Sequence, residues 1–184
     1  MDKNRLPNCL PTHNHAAVFW EELGRTVATF GFLEEVLGKA IFAFTGTRPY
    51  SEDEVLQAYE AWLPKLERAL SDPLGSLIDV FEKSVKEHPK ATISNLGDLT
   101  KDLRDASRIR NVLCHGSWGP PDASGASIPF FVNRQKKKFA TPVDLAFLRQ
   151  TQSATAELTC EVINTVTHMG WQFPGGAGPG RSIS

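Results

Sequence analysis

The chain has 184 residues, 41% of them hydrophobic, and a formal net charge of −1 at pH 7. A chain of this length and hydrophobic content can bury a sizeable core, so we expect one domain. The balanced charge argues against a protein that coats nucleic acid non-specifically, although it is compatible with a local basic patch.

Membrane and secretory segments are not expected. No apolar run approaches the roughly 18 residues of a membrane span, and the chain does not open with a basic segment followed by an apolar one. The three cysteines, Cys9, Cys114 and Cys160, are widely spaced and odd in number, which is typical of reduced thiols and not of a disulfide framework. We therefore expect a cytoplasmic protein without membrane contact.

The N-terminal residues 1–14 are polar and contain proline, which predicts a loose arm. Cys9, His13 and His15 are metal-ligand types, but three ligands on a mobile arm lack a fourth. We therefore favour an incidental polar segment over a metal site, and we expect neither a metal nor another cofactor.

A long first helix is predicted from Ala16 to about Phe44, because apolar residues recur there every three or four positions. Such a helix is typical of a core or of a dimer seam. Glu34 and Glu35 lie midway along it, and either is a candidate partner for an arginine from a later helix.

Two shorter helices should follow. Residues Ser51–Glu54 have the pattern of a capping box at the head of a second helix, which runs through about Ser71 with a kink at Pro64. The Asp-Pro pair before Leu74 predicts the start of a third helix, which ends near His88. We interpret His88 as a helix-end residue favoured by the helix dipole.

The fourth predicted helix, from about Asn95 to His115, carries one apolar stripe. Arg110 lies within this stripe, where a guanidinium is costly unless it is paired or faces a cleft or another subunit. His115 follows five residues later, on nearly the opposite side of a regular helix. Gly116 predicts a stop, so the last turn can unwind and free the imidazole. The stripe consists of Leu96, Leu99, Leu103, Ala106, Ile109 and Leu113.

The pattern changes after Gly116. Residues Ser127–Val132 and Lys136–Ala140 predict a short β-hairpin, in which Pro129 restricts the first strand to an edge. The cluster at the hairpin tip is either a solvated surface or a phosphate-binding one, and we favour the solvated surface unless the cluster lies beside the arginine of the fourth helix. This densest positive cluster of the chain comprises Arg134, Lys136, Lys137 and Lys138.

The last helix is predicted to start at Thr141–Asp144 and to run to about Met169, where Gly170 ends it. The Gly- and Pro-rich residues 171–184 are expected to form a disordered tail. The predicted fold class is therefore all-α: an antiparallel bundle of four to five helices over residues 15–170, with a short β-hairpin inserted before the last helix.

Familiar catalytic motifs are absent from the sequence. There is no Walker loop, Rossmann glycine pattern, HExxH or paired Cys-x-x-Cys. Cys114 adjoins His115, but neighbours on a helix diverge by about 100° and do not easily share a proton. Because Cys114 falls on the apolar stripe, we interpret it as a small core residue.

One short motif carries a resemblance. Residues Arg110-Asn111-Val112-Leu113-Cys114-His115 resemble the Arg-x(4–6)-His motif of the HEPN superfamily (higher eukaryotes and prokaryotes nucleotide-binding), including the polar residue after the arginine. The likeness is confined in sequence to this motif and extends in architecture to the helical bundle. Superfamily members are typically metal-independent RNA endonucleases of toxin–antitoxin, abortive-infection and CRISPR-linked defence, and they pair as dimers in which two motifs face one cleft. Others have lost catalysis and act as binding or scaffold modules.

The resemblance implies that Arg110 binds the phosphate, that His115 is the general acid or base, and that Asn111 orients them or the RNA. RNA supplies its own nucleophile, the ribose 2′-OH, so the reaction needs proton transfer and charge neutralisation but no metal. Implied partners are RNA, a second copy of the chain, and an antitoxin or defence-system partner protein. The basic cluster is the candidate RNA contact.

Three functions stay open at this stage. The favoured one is a HEPN-type endoribonuclease that cleaves single-stranded RNA. The second is a catalytically inactive HEPN-like dimer that acts as a binding or scaffold module, with Arg110 paired to Glu34 or Glu35. The third is an unrelated helical dimer with a structural arginine and a helix-capping histidine.

Overall fold

The structure is a computed structural model, and it describes residues 3–60, 64 and 73–176. Its long helices are α1 (Ala17–Gly46), α2 (Leu74–Glu87), α3 (Leu96–His115) and α4 (Leu145–His168). Short 3-10 turns occupy Lys3–Arg5, Thr12–Asn14 and Glu52–Glu54. The predicted all-α class is confirmed, and no helix among the described residues is both long and apolar enough to cross a membrane.

The predicted capping box is present. The backbone N–H and the hydroxyl of Ser51 both donate to Glu54 Oε2, over 3.3 Å and 2.7 Å. Residues 55–60 and Pro64 are helical. The rest of the predicted second helix, through Ser71, lies outside the described residues, and so do the neighbours of Pro64 that would reveal the expected kink.

The chain divides into two compact units, and each consists of separate stretches of sequence. The first unit contains the described residues up to Phe30 and those from Arg108 to Ala154. The second unit contains Gly31–Ser107 and the described residues from Thr155 onward. Three of the long helices contribute residues to both units, because their sequences run across the boundaries.

A polar cluster ties α1 to α4 within the first unit. The Gln152 amide donates to Glu22 Oε2 at 3.0 Å and to the Thr26 hydroxyl at 3.1 Å, and the Arg149 Nε–H donates to Glu22 Oε1 at 2.9 Å. The hydrogen bond from Gln152, followed by that from Arg149, lowers the pKa of the Glu22 carboxyl. A half-buried carboxylate is thus satisfied by donors from the neighbouring helix.

An aromatic cluster joins the N-terminal arm of the first unit to α1. His15 stacks on Phe19 with 4.1 Å between ring centroids, and Trp20 and Trp118 meet these rings edge to face. The Trp20 indole donates to the Thr12 carbonyl at 2.7 Å. The predicted loose arm is therefore attached to the helix at Thr12 and His15.

The core of the second unit centres on the rings of Phe44 and Phe81, which lie edge to face 6.3 Å apart. Trp171, which the sequence assigned to the tail, packs against Phe44 at 5.5 Å and against His88 at 4.9 Å. The other buried hydrophobic side chains of this unit include Leu33, Val36, Leu37, Ala40, Ile41, Leu74, Leu77, Ile78, Val85, Leu99 and Leu103.

His88 lies at the end of its helix, as the sequence predicted, and it also belongs to the core. It directly follows α2 and is only 4% exposed, and its Nδ1 accepts the backbone N–H of Lys90 at 3.2 Å. Trp171 and Phe44 cover its ring, which the sequence did not predict.

Ion pairs link α2 and α3 in the second unit. Arg104 donates to Asp79 Oδ1 at 2.9 Å and to Glu82 Oε2, and Lys86 donates to the other oxygen of Glu82. These two partners, Lys86 first and Arg104 second, lower the pKa of the Glu82 carboxyl. Most of the Glu82 side chain is covered, whereas Asp79 is exposed.

The predicted β-hairpin is not formed, since the described residues contain no strand. The stretch from Ser127 to Val132 forms three isolated antiparallel bridges with different partners. Ser127 pairs with Val143, Phe130 with Ser117, and Val132 with Lys138. Pro129 lies within this stretch and offers no N–H, so no continuous ladder can form along it. Around 133–138 the chain still turns back on itself, because Asn133 N–H donates to the Lys137 carbonyl at 3.0 Å.

The ends of α4 agree with the sequence prediction. Asp144 Oδ1 accepts the backbone N–H of Phe147 at 2.7 Å, which makes Asp144 the N-terminal cap. Gly170 has a φ of +76°, the left-handed conformation with which helices commonly end. Of the predicted tail, residues 171–176 are described, and the others lie outside the described residues.

Candidate functional site

The motif occupies the last two turns of α3 and belongs to the first unit. Val112 and Leu113 are buried and anchor this end of the helix. The helix stays regular through His115, since the Gly116 N–H donates to the Val112 carbonyl at 2.8 Å. The last turn, which the sequence predicted could unwind, is helical in the structure.

Gly116 ends the helix for a reason that the sequence did not show. Its φ is not positive, so no left-handed turn requires glycine at this position. A Cβ atom on Gly116 would instead lie 2.6 Å from the Val112 carbonyl oxygen and 2.8 Å from the Pro129 Cβ. Glycine is needed because the buried Pro129 approaches the backbone directly after His115.

Arg110 and Asn111 are both half-buried. The Arg110 guanidinium donates to Asn111 Oδ1 over 3.5 Å, which is at the long limit for a hydrogen bond. Asn111 is thus within reach of the arginine that it was predicted to orient. Of the two predicted carboxylate partners, both in the second unit, Glu35 accepts a hydrogen bond from Lys39 at 2.6 Å.

His115 is the last residue of α3 and its side chain is exposed. Five helical residues correspond to about 7.5 Å along the axis and about 140° around it. A single α3 therefore presents Arg110 and His115 on different sides. The two groups do not converge through the backbone geometry of one chain.

Cys114 is exposed, and the prediction of a core thiol is wrong. The apolar stripe of α3 is buried at Leu96, Leu99, Leu103 and Leu113 but only half-buried at Ala106 and Ile109. At the end of the helix the buried side is formed by Val112 and Leu113, and the next residue points away from it by about 100°.

The chain after His115 is held to the segment that leads to the basic cluster. Ser117 N–H donates to the Phe130 carbonyl at 3.0 Å, and Phe130 N–H donates back to the Ser117 carbonyl at 2.8 Å. Three residues later the chain enters the basic turn, which we define as residues 133–138. The first unit thus contains both the motif and the basic turn, connected by this pair of hydrogen bonds.

The basic turn has its own support. Asn133 Oδ1 accepts the backbone N–H of Lys137 at 2.9 Å, and Lys136 adopts a φ of +61° at the tip. The side chains of Arg134, Lys136, Lys137 and Lys138 are exposed. Within the described part of the chain, none of these four cations lies in an ion pair.

Sequence reasoning missed two residues that shape the loop after the motif. Asp122 Oδ1 accepts the Ser124 hydroxyl and the backbone N–H groups of Ser124 and Ala126, and these bonds, the hydroxyl first, lower its pKa. His15 Nε2 lies 3.0 Å from the Gly119 carbonyl. The Asp-Ala-Ser-Gly pattern, which is typical of a turn, could have revealed the role of Asp122. No local pattern could have revealed that His15 contacts this loop.

Metal ligands do not assemble in the part of the chain that the structure describes, where no group of three or more His, Cys, Asp or Glu side chains could hold an ion. Cys9 and His13 are exposed, and His15 is engaged with the aromatic cluster and the loop. At the motif itself, the structure presents an exposed imidazole, that of His115, and a half-buried guanidinium, that of Arg110.

Comparison with known proteins gives no match to this chain, whether among family models, curated proteins or solved structures.

Proposed function

We propose that this protein is a metal-independent endoribonuclease of HEPN type that cleaves single-stranded RNA. The observation that supports the proposal is the double hydrogen bond between Ser117 and Phe130. It connects an exposed imidazole, two residues before Ser117, to a turn with four exposed cations in the same unit. A polyanion bound along this surface would meet a proton carrier.

The proposed reaction uses groups that the substrate and the motif supply. The ribose 2′-oxygen attacks the adjacent phosphorus, the bond from phosphorus to the 5′-oxygen breaks, and the products carry a 2′,3′-cyclic phosphate and a 5′-OH. An imidazole takes the 2′-OH proton, and an imidazolium gives a proton to the leaving 5′-oxygen. Arg110 neutralises the crowded phosphorane through its forked donors, and Asn111 orients the guanidinium.

The proposal includes a symmetric homodimer. Because Arg110 and His115 diverge by about 140° on one helix, a site that uses both is completed by a second copy of α3. In such a dimer each site combines the Arg110 of one copy with the His115 of the other, whose imidazole takes the 2′-OH proton and, as the imidazolium, gives it to the leaving 5′-oxygen. A role in toxin–antitoxin systems or phage defence, with an antitoxin or defence-system partner, belongs to this proposal through the motif's resemblance.

Cleavage of a mixed single-stranded RNA pool in EDTA tests the proposal. We expect wild-type protein to cleave, and His115→Ala and Arg110→Lys to be inactive, since an ammonium does not reproduce the two-pronged phosphate contact. The matched controls are His168→Ala, which removes another exposed histidine from the last turn of a helix, and Arg108→Lys. Both controls should cleave like wild type.

Mixing two inactive variants tests the composite site. A heterodimer of Arg110→Ala and His115→Ala has one site with both native groups, so mixing should restore part of the activity. Cleavage that persists in His115→Ala, or that disappears when EDTA is added to wild type, contradicts the proposal and leaves a binding or scaffold module as the better account. A mixture that stays inactive while each variant still dimerises contradicts the shared site.

A further inference from the structure

Alternate apolar side chains between the motif and the basic turn are exposed. Ile128, Phe130 and Val132 are 49%, 66% and 42% exposed, whereas Pro129 between them is buried. Alternation of this kind places the three exposed side chains on one face of an extended segment. Of the large hydrophobic residues that the structure describes, only Leu56 is more exposed than Phe130.

The pairing of this segment decides which other residues share the face. Residues directly opposite each other in an antiparallel bridge project their side chains to the same side. Ser117 is paired with Phe130, and Lys138 is paired with Val132. Ser117, Phe130, Val132 and Lys138 therefore share one face, and Phe130 lies on it between Ser117, two residues after the motif, and Lys138 of the basic turn.

An exposed aromatic ring that shares a face with an exposed lysine has the chemistry of a single-stranded nucleic-acid contact. Every base has a flat apolar face that stacks on an aromatic ring, while the phosphates of the same strand need cations nearby. A protein partner would also cover apolar side chains, but the four exposed cations of the basic turn favour a polyanion.

We infer that Phe130 is a base-stacking residue for single-stranded RNA, and that the strand runs from the basic turn across Phe130 toward His115. This inference rests on the proposed function for the identity of the strand, but it concerns binding and not cleavage. Phe130 contributes affinity that does not depend on which base is bound, because stacking does not involve the hydrogen-bonding groups that distinguish the bases.

The test measures binding of a fluorescein-labelled 2′-O-methyl oligouridine, which has no free 2′-OH and cannot be cleaved by the proposed reaction. Phe130→Ala should weaken binding at least about fivefold, the low end of the loss of one base–aromatic stack. Phe130→Leu keeps an apolar side chain without a ring and should lose as much, whereas Phe130→Tyr should bind like wild type. The control is Phe32→Ala, which removes a 52% exposed phenylalanine from α1 and should not change binding.

Each outcome separates this inference from the proposed function. If Phe130→Ala binds like Phe32→Ala, or if wild type does not bind the oligonucleotide, the inference is overturned whatever the RNA cleavage assay shows. If Phe130→Ala changes the oligomeric state while affinity is kept, the face is a subunit contact and the inference is again overturned. Weakened binding in Phe130→Ala, together with a wild type that does not cleave RNA, supports the inference and contradicts the ribonuclease.

Discussion

Replacing Gly116 by alanine tests the packing at the end of α3. The new Cβ would lie 2.6 Å from the Val112 carbonyl oxygen and 2.8 Å from the Pro129 Cβ. Ordinary contacts between carbon atoms are about 3.5–4.0 Å, so one of the two neighbours must move by most of an ångström. Neither yields easily, because one is helix backbone and the other is a buried proline ring.

The expected cost follows from two opposing effects. Overpacking of this kind typically costs about 1–3 kcal/mol. Alanine recovers about 0.4–1 kcal/mol, because it restricts the unfolded chain more than glycine does. The difference is roughly 0–2.6 kcal/mol. Because both neighbours are rigid, we expect Gly116→Ala to lower the free energy of unfolding by about 1–2 kcal/mol, which corresponds to roughly 2–8 °C in Tm for a chain of this size.

Urea unfolding followed by circular dichroism measures this effect. The matched control is Gly97→Ala in the first turn of the same helix, where an added Cβ meets nothing within 4 Å. The control should be neutral or slightly stabilising. If Gly116→Ala unfolds at the same urea concentration as Gly97→Ala, with an unchanged m-value, then Pro129 and the Val112 carbonyl do not require glycine at position 116.

Two further predictions concern charge. Replacing Lys136, Lys137 and Lys138 together by alanine should weaken the binding of RNA of any sequence. The slope of log K against log salt concentration should become shallower by up to about three units, and by less for single strands. An unchanged slope would show that the cluster is a solvated surface that does not contact RNA. Because the pKa of Glu82 is lower in the folded protein than in the unfolded chain, the ionised carboxylate stabilises the fold at any pH above the ordinary carboxyl pKa of about 4.3. This stabilisation is lost as the pH falls through the pKa that Glu82 has in the folded protein. Urea titrations between about pH 6 and pH 3 measure this effect. The free energy of unfolding should fall less toward low pH for Glu82→Gln than for wild type, and an equal fall in both proteins would contradict the prediction.

Periodicity was sufficient to predict the helices. The apolar spacing placed α1 and α3 within about two residues of their observed ends, because both helices bury one side along much of their length. Capping was also local enough to predict, as Ser51, Asp144 and Gly170 show. In each of these cases the determining contacts lie within a few residues of one another.

Contacts between distant segments were not predictable from these patterns. The alternating residues after Ser127 resembled a strand, but their hydrogen bonds go to Val143 and Ser117 as well as to the turn, which alternation alone does not reveal. His88 was predicted at a helix end, but no local pattern showed that Trp171, 83 residues later in the sequence, would cover its ring. Contacts between distant segments decided both features.

The sequence located the residues of the candidate site on a helix but did not give their geometry. Arg110, Asn111 and His115 lie in the last two turns of α3, and Arg110 and Asn111 are half-buried whereas His115 is exposed. The sequence did not show how α3 ends, because Pro129, which packs against Gly116, lies 13 residues later in a loop. Phe130 was assigned to a strand, and only its exposure distinguishes it from a core residue.

The interleaving of the two units has a consequence for how the protein folds. Bonds that close the first unit join residues far apart in the chain, such as Glu22 and Gln152, which are 130 positions apart, and His15 and Gly119, which are 104 apart. Closing such loops is slow, because the entropy of the intervening chain is lost before the contacts are gained. During synthesis neither unit can be completed until α4 has emerged, so the part of α1 up to Phe30 lacks its contacts with α4 for most of translation.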